Sequence, residues 1–193
     1  MNVTFHAVAS FGISHVAARN LAPDSSIEAF DRRDMRVLIT AFVASVVSHG
    51  VLDGLKHGYP IHYAIDPPLA LLLGAAWCAI VKPRFRTLFA IVFIGAVLPD
   101  LVDLGPAIAN RLLGWHLPTF RPHLFPWHRV DGSGSLYPLE GGPARPGHGD
   151  LDAGENRIVS ATNHAIVLFL AIAAIVSNRA PFRSPRRAQT GEI

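Results

Sequence analysis

One cysteine, Cys78, stands in a chain of 193 residues, and it lies inside an apolar stretch. Neither an internal disulfide nor a multi-cysteine zinc site can be built from it, so any metal here must be held by nitrogen and oxygen. Charge is also scarce. Only 16% of the residues are Asp, Glu, Lys or Arg, while 50% are hydrophobic, which is too apolar for an average soluble domain. The net charge of +3 is small, and the cations fall between and after apolar segments without forming one patch, which argues against a nucleic-acid partner. The opening MNVTFHAV has no basic region and no small-residue cleavage site, so a removable signal peptide is not expected. No internal repeat of the inverted-transporter kind is visible. What remains is the composition of a small helical membrane protein.

The apolar runs lead to an all-α expectation: an integral membrane helical bundle of four or five spans, in one domain over 1–193, with a long irregular extramembrane loop. Spans are expected at 37–55, 67–82, 87–104 and 158–177. Residues 3–18 are short and carry His6 and His15, so they form either a fifth, imperfect span or an interfacial helix. The polar stretch 20–36, ending in DRRDMR, reads as a membrane-flanking loop. Asp66-Pro67 reads as a helix start, with Asp as cap and Pro in the first turn. The loop 105–157 is dense in Gly, Pro, His and Asp, with a short interfacial helix expected over 107–113. The basic tail 178–193 is expected to be disordered.

Cations cluster at Arg32 to Arg36, Lys82 to Arg86 and Arg179 to Arg187, and all three clusters belong on the cytoplasmic side by the positive-inside rule. With a rise of ~1.5 Å per residue, His49 and Asp53 lie roughly 20 and 25 Å from Arg36. Asp100 and Asp103 lie roughly 21 and 25 Å from Arg86, in a hydrocarbon core of ~30 Å. His164, about 9 Å into its own helix, falls at a similar depth, and His6 joins the layer if its segment spans. His15 goes to the other side. The bundle therefore delivers His and Asp to one level toward the non-cytoplasmic face of what is expected to be a bacterial inner membrane.

Chemistry favours a cation at that level. In SHGVLDGLKHGYP, residues 48–60, His49, Asp53 and His57 recur every four positions and form one polar stripe on a helix, with His57 weakened by the helix-ending Gly58 and Pro60. Asp100 and Asp103 end another helix, where the macrodipole disfavours carboxylates, and Pro99 is expected to kink that helix and aim them inward. Intramembrane carboxylates cost several kcal/mol unless paired or bound to a cation. A divalent metal, with zinc as the first expectation, would thus be held by His49, Asp53, Asp100 and Asp103, with His6 and His164 as further ligands. The loop segment FRPHLFPWHRVDGSGS reads either as an interfacial loop resting Phe125 and Trp127 in the headgroups, or as a lid. The lid would bring His128 as ligand or general acid, Arg129 to clamp an anionic substrate, and Asp131 beside them.

SHGVLD (48–53), LPDLVD (98–103) and the early His6 together resemble the YdjM-like family of membrane-bound metal-dependent hydrolases, although here SHGVLD precedes LPDLVD and His128-Arg129 is not followed by T-H-S. The resemblance implies an all-helical His/Asp site and hydrolysis by metal-activated water, with a phosphoester such as a lipid phosphate as the small-molecule or membrane-lipid substrate. Other readings stay open on the residues alone. One is a non-enzymatic protein binding or conducting metal ions or protons, although 37–47 and 88–96 hold no ionisable group. Others are a structural membrane protein and a bis-histidine haem between His49 and His164.

Overall fold

The computed structural model describes residues 3–21, 31–55, 65–120, 122–129, 155–179 and 181, without the side chains of 129 and 155–160. Among the described residues the chain is all-helical and contains no strand. The helices are α1 (Val3–Ala17), extended by a short 3-10 turn at Ala18–Asn20, α2 (Arg32–Gly54), α3 (Asp66–Ile80), α4 (Pro83–Asp103), α5 (Gly105–Leu113) and α6 (Glu155–Ser177). A second 3-10 turn covers Pro126–Arg129. His57 and Asp131 lie outside the described residues.

Two of these helices, Arg32–Gly54 and Pro83–Asp103, are long and apolar enough to cross a membrane, while Asp66–Ile80 and Ala161–Ser177 are shorter apolar helices. α2 begins inside the stretch expected to be a flanking loop. Asp31 accepts a hydrogen bond from the Asp34 N–H and caps the helix at Arg32, so DRRDMR is its first turn and not a connection. α4 runs through Pro99 as one helix to Asp103.

The first helix is the hub. α1 packs against α2, α3, α4 and α6, and its polar residues point inward: His6, Ser10, Ser14 and His15 are all buried. Ser10 and Ser14 satisfy their hydroxyls on the Ala7 and Ser10 carbonyls, so they can sit at a tight helix contact. The start of α1 is capped from elsewhere. Asp66 does not cap its own helix; its carboxylate accepts the Val3 and Thr4 N–H groups at 2.7 and 3.0 Å, where the helix dipole favours a negative charge.

These contacts fix the directions. α3 and α6 run parallel to α1, since Phe11 stacks on Trp77, Phe5 meets His164, and His15 meets Asn178. α2 and α4 run the other way, with His6 beside Asp53, and are parallel to each other. One end of the bundle therefore gathers His6, His49, Asp53, Asp100, Asp103 and His164. The other gathers Arg19, Arg33, Arg36, Lys82, Arg84 and Arg86. There Arg19 donates to the Ser177 carbonyl and the Lys82 N–H to the Pro181 carbonyl, so the first residues of the tail pack on the bundle.

The core is apolar at the basic end, around Leu38, Phe85, Leu88, Phe89 and Val92. Large apolar side chains also face outward: Ile39, Val43, Val47 and Val51 along α2, and Ile166, Phe169, Leu170 and Ile172 along α6.

Candidate metal centre

α2 and α4 approach closely because Gly95 offers no side chain; a Cβ there would lie 2.9 Å from the Phe42 carbonyl oxygen. The register is pinned by two cross-helix bonds, Ser45 Oγ to the Val92 carbonyl at 2.8 Å and His49 Nδ1 to the Ala96 carbonyl at 2.6 Å. Asp53 and Asp100 stand one turn beyond His49 and Ala96 and so meet across this seam. From above, the 3-10 turn lowers His128 onto them. Trp127 lies flat on Gly50, where a Cβ would come within 2.6 Å of the indole.

Asp103 holds that turn in place. Its Oδ1 accepts the Leu124 N–H at 2.8 Å, and its Oδ2 accepts the Phe125 N–H at 2.9 Å and His128 Nδ1–H at 2.8 Å. A carboxylate taking three donors is ionised, and a carbonyl can only accept. Both Nδ1 atoms, of His49 and of His128, therefore carry hydrogen, so that either ring, when neutral, presents a bare Nε2 lone pair to the site.

Those lone pairs face carboxylates. His49 Nε2 is 3.1 Å from Asp53 Oδ2 and 3.5 Å from Asp100 Oδ1. His128 Nε2 is 3.2 and 3.4 Å from the same two oxygens. Both nitrogens are buried without a hydrogen-bond partner. Four acceptors pointed at one another repel unless positive charge lies between them.

A proton on an imidazole is one solution. At His128, burial opposes the charge, but the carboxylates of Asp100, Asp53 and Asp103 outweigh it and push the imidazole up to about 10. A metal ion is the other. The ligand atoms of His49, Asp53, Asp100 and His128 all lie within 4.8 Å of one another, and this group can hold a metal ion. Ligands about 2.0–2.1 Å from a shared centre in a tetrahedron are roughly 3.3 Å apart, close to the four separations above. Two nitrogens, two oxygens, fixed tautomers and a carboxylate behind one histidine fit a divalent cation.

Other expected residues take different places. His6 stands behind Asp53, its Nε2 3.2 Å from Oδ1 and its ring stacked on His49 at 3.8 Å, so it touches the oxygen that faces away from the cluster. Asp103 is turned toward the loop and reaches the centre through His128. His164 packs edge-on against Phe5, with ring centroids 4.1 Å apart, and is not among the four. Depth along a helix does not fix rotation about it. A haem between His49 and His164 does not suit this arrangement, since His49 spends one nitrogen on Ala96 and aims the other at carboxylates. His15 lies at the opposite end, bonded through Nδ1 to the Asn178 carbonyl at 2.8 Å. The side chain of Arg129 and all of Asp131 lie outside the described residues. Of the four clustered residues, Asp100 is the most exposed, at 13% of its side chain.

Comparison with protein-family models, curated proteins and solved structures gave no match.

Proposed function

We propose that this chain is an integral membrane protein of five spans, α1 to α4 and α6, whose His49–Asp53–Asp100–His128 centre holds zinc and hydrolyses a phosphoester, with a lipid phosphate as the substrate class. The observation that carries it is the convergence of two buried Nε2 atoms on two carboxylates. Imidazole nitrogen mixed with carboxylate oxygen at these spacings suits zinc.

The membrane part rests on an inverted surface. The outward faces of α2 and α6 are apolar, while His6, Ser10, Ser14, Ser45 and His49 are inside. Arg19, Arg33, Arg36, Lys82, Arg84 and Arg86 lie at the end opposite the centre, which supports a centre toward the non-cytoplasmic face of an inner membrane. The hydrolase part rests on the buried, water-restricted site and on the likeness of SHGVLD and LPDLVD to the YdjM-like pattern.

When bound, the cation supplies Lewis acidity, withdrawing charge from a phosphoryl oxygen and acidifying a water. The chain supplies the rest. Ala96 and Asp103 lock the tautomers of His49 and His128, and His6 holds the outer oxygen of Asp53. Phe125 and Trp127 cover the layer and keep bulk water off it. Asp100, the most exposed of the four, meets entering solvent and is the acceptor we assign to the proton lost by the attacking water.

Protein stripped of metal and reloaded with zinc should gain hydrolysis of a lipid phosphate in detergent micelles and lose it in Asp100→Ala. Absence of metal above background would overturn the reading. A second reading is favoured by one feature: four protein donors already close a tetrahedral shell, as in structural sites. In that case the metal staples the 122–129 loop to the bundle, and the loaded protein hydrolyses nothing.

A further inference from the structure

α1 forms the floor, and α2 and α6 the walls, of an open groove with a volume of 930 Å³. Small residues deepen the groove, Gly12 and Ala17 below and Ala44 and Ala174 at the sides, between larger apolar ones such as Ile13, Val47 and Leu170. Its length is set by α2. From Arg36 to Val51 it follows fifteen residues, about 22 Å of helix, more than the ~15 Å of hydrocarbon in one leaflet. It ends at Leu52, which packs with Val167, Phe5 and Ala9, and none of the four metal-centre residues lines it.

The two ends differ in charge. At the basic end Arg33 and Arg36 are exposed and line the mouth together with Asn20. Asp34, which lies between them in sequence, is buried in the bundle, and among the described residues no acidic one lines the groove. A transmembrane helix laid in this groove would leave two guanidinium groups to be paired. A phospholipid brings the phosphate and the apolar chain in one molecule, in the order the groove presents them.

We propose that this groove binds one anionic phospholipid from the leaflet at the basic end, its phosphate between Arg33 and Arg36 and an acyl chain lying along α1 toward Leu52. The site is separate from the metal centre and rests on the membrane reading above. The test is native mass spectrometry of the full chain in non-ionic detergent, with dioleoyl phosphatidylglycerol or dioleoyl phosphatidylcholine added. Wild type should retain one phosphatidylglycerol in preference to phosphatidylcholine. The double variant Arg33→Gln/Arg36→Gln should bind it roughly thirtyfold more weakly, to the level of phosphatidylcholine. Ala44→Phe, at an exposed position that fills the groove, should retain neither lipid while its metal content stays that of wild type.

Equal retention by all three proteins would overturn the proposal, as would a wild type that does not distinguish the two lipids. A wild-type dimer in light scattering that Ala44→Phe splits into monomers would give the groove to a second copy of the chain and also overturn it. A chain that stays monodisperse after detergent removal would refute the membrane reading itself. One that needs detergent yet shows no preference refutes only the groove.

Discussion

Replacing Asp103 with asparagine changes one charge and almost no volume, yet three bonds converge on that carboxylate. An amide has one acceptor oxygen. If it turns toward Leu124, its NH2 group meets the Phe125 N–H and the His128 Nδ1–H; if it turns the other way, the Leu124 N–H is orphaned. Either orientation leaves at least one loop donor facing another donor, at a cost of about 1–3 kcal/mol. That cost falls on the segment that carries His128. Metal affinity should therefore drop by about 10–100-fold, the range typical of losing a carboxylate behind a ligating histidine. The assay is competition for zinc against a chromophoric chelator in detergent, run beside hydrogen exchange at the amides of residues 124 and 125. An affinity within about twofold of wild type, with those amides still protected, would refute the claim that Asp103 positions His128.

Four further outcomes follow from the same geometry. Gly50→Ala puts a methyl against Trp127 and should lift the loop, weakening metal binding by about tenfold or more with helix content unchanged; unaltered affinity and indole fluorescence would contradict it. Proton and metal compete for Nε2 of His128, so each metal bound releases a proton, and affinity should fall about tenfold for each pH unit below about 10. A chelator titration that is flat between pH 6 and 8 would refute that competition. Without metal the sign reverses: the raised His128 value stabilises the fold fully below its ordinary 6.5, and that gain is lost as pH rises toward about 10. Asp66→Ala removes the acceptor for both leading N–H groups of α1 and should cost about 1–2 kcal/mol, read as a lower melting temperature. Unchanged melting would mean that α1 does not need this cap.

Much of this arrangement could be read from residue spacing and depth. His49 and Asp53, four apart on an apolar helix, declare a shared face, and equal distances from Arg36 and Arg86 bring Asp100 to their level. Other parts were hidden for physical reasons. Residues 3–17 look weak as a span because polarity counts against them, but in a hub helix the polar atoms are satisfied inside the bundle, as at Ser10, Ser14 and His15. Asp103 lies at the same depth as its neighbours, and nothing in a one-dimensional pattern says that it turns to hold backbone amides some twenty residues later. His128 sits in a proline-flanked turn without periodicity. Only the signal of an aromatic and a histidine beside prolines marked it, and that signal could not separate ligand from acid. His164 shows the reverse error, with the right depth and the wrong rotation.

The central claim, that two histidines and two aspartates hold a divalent cation, is tested most directly by elemental analysis of the purified, detergent-solubilised chain beside Asp100→Ala. About one zinc per chain is expected in wild type, falling to background in the variant while the helical spectrum is retained. No metal above background in wild type, or equal metal in both proteins, would contradict it.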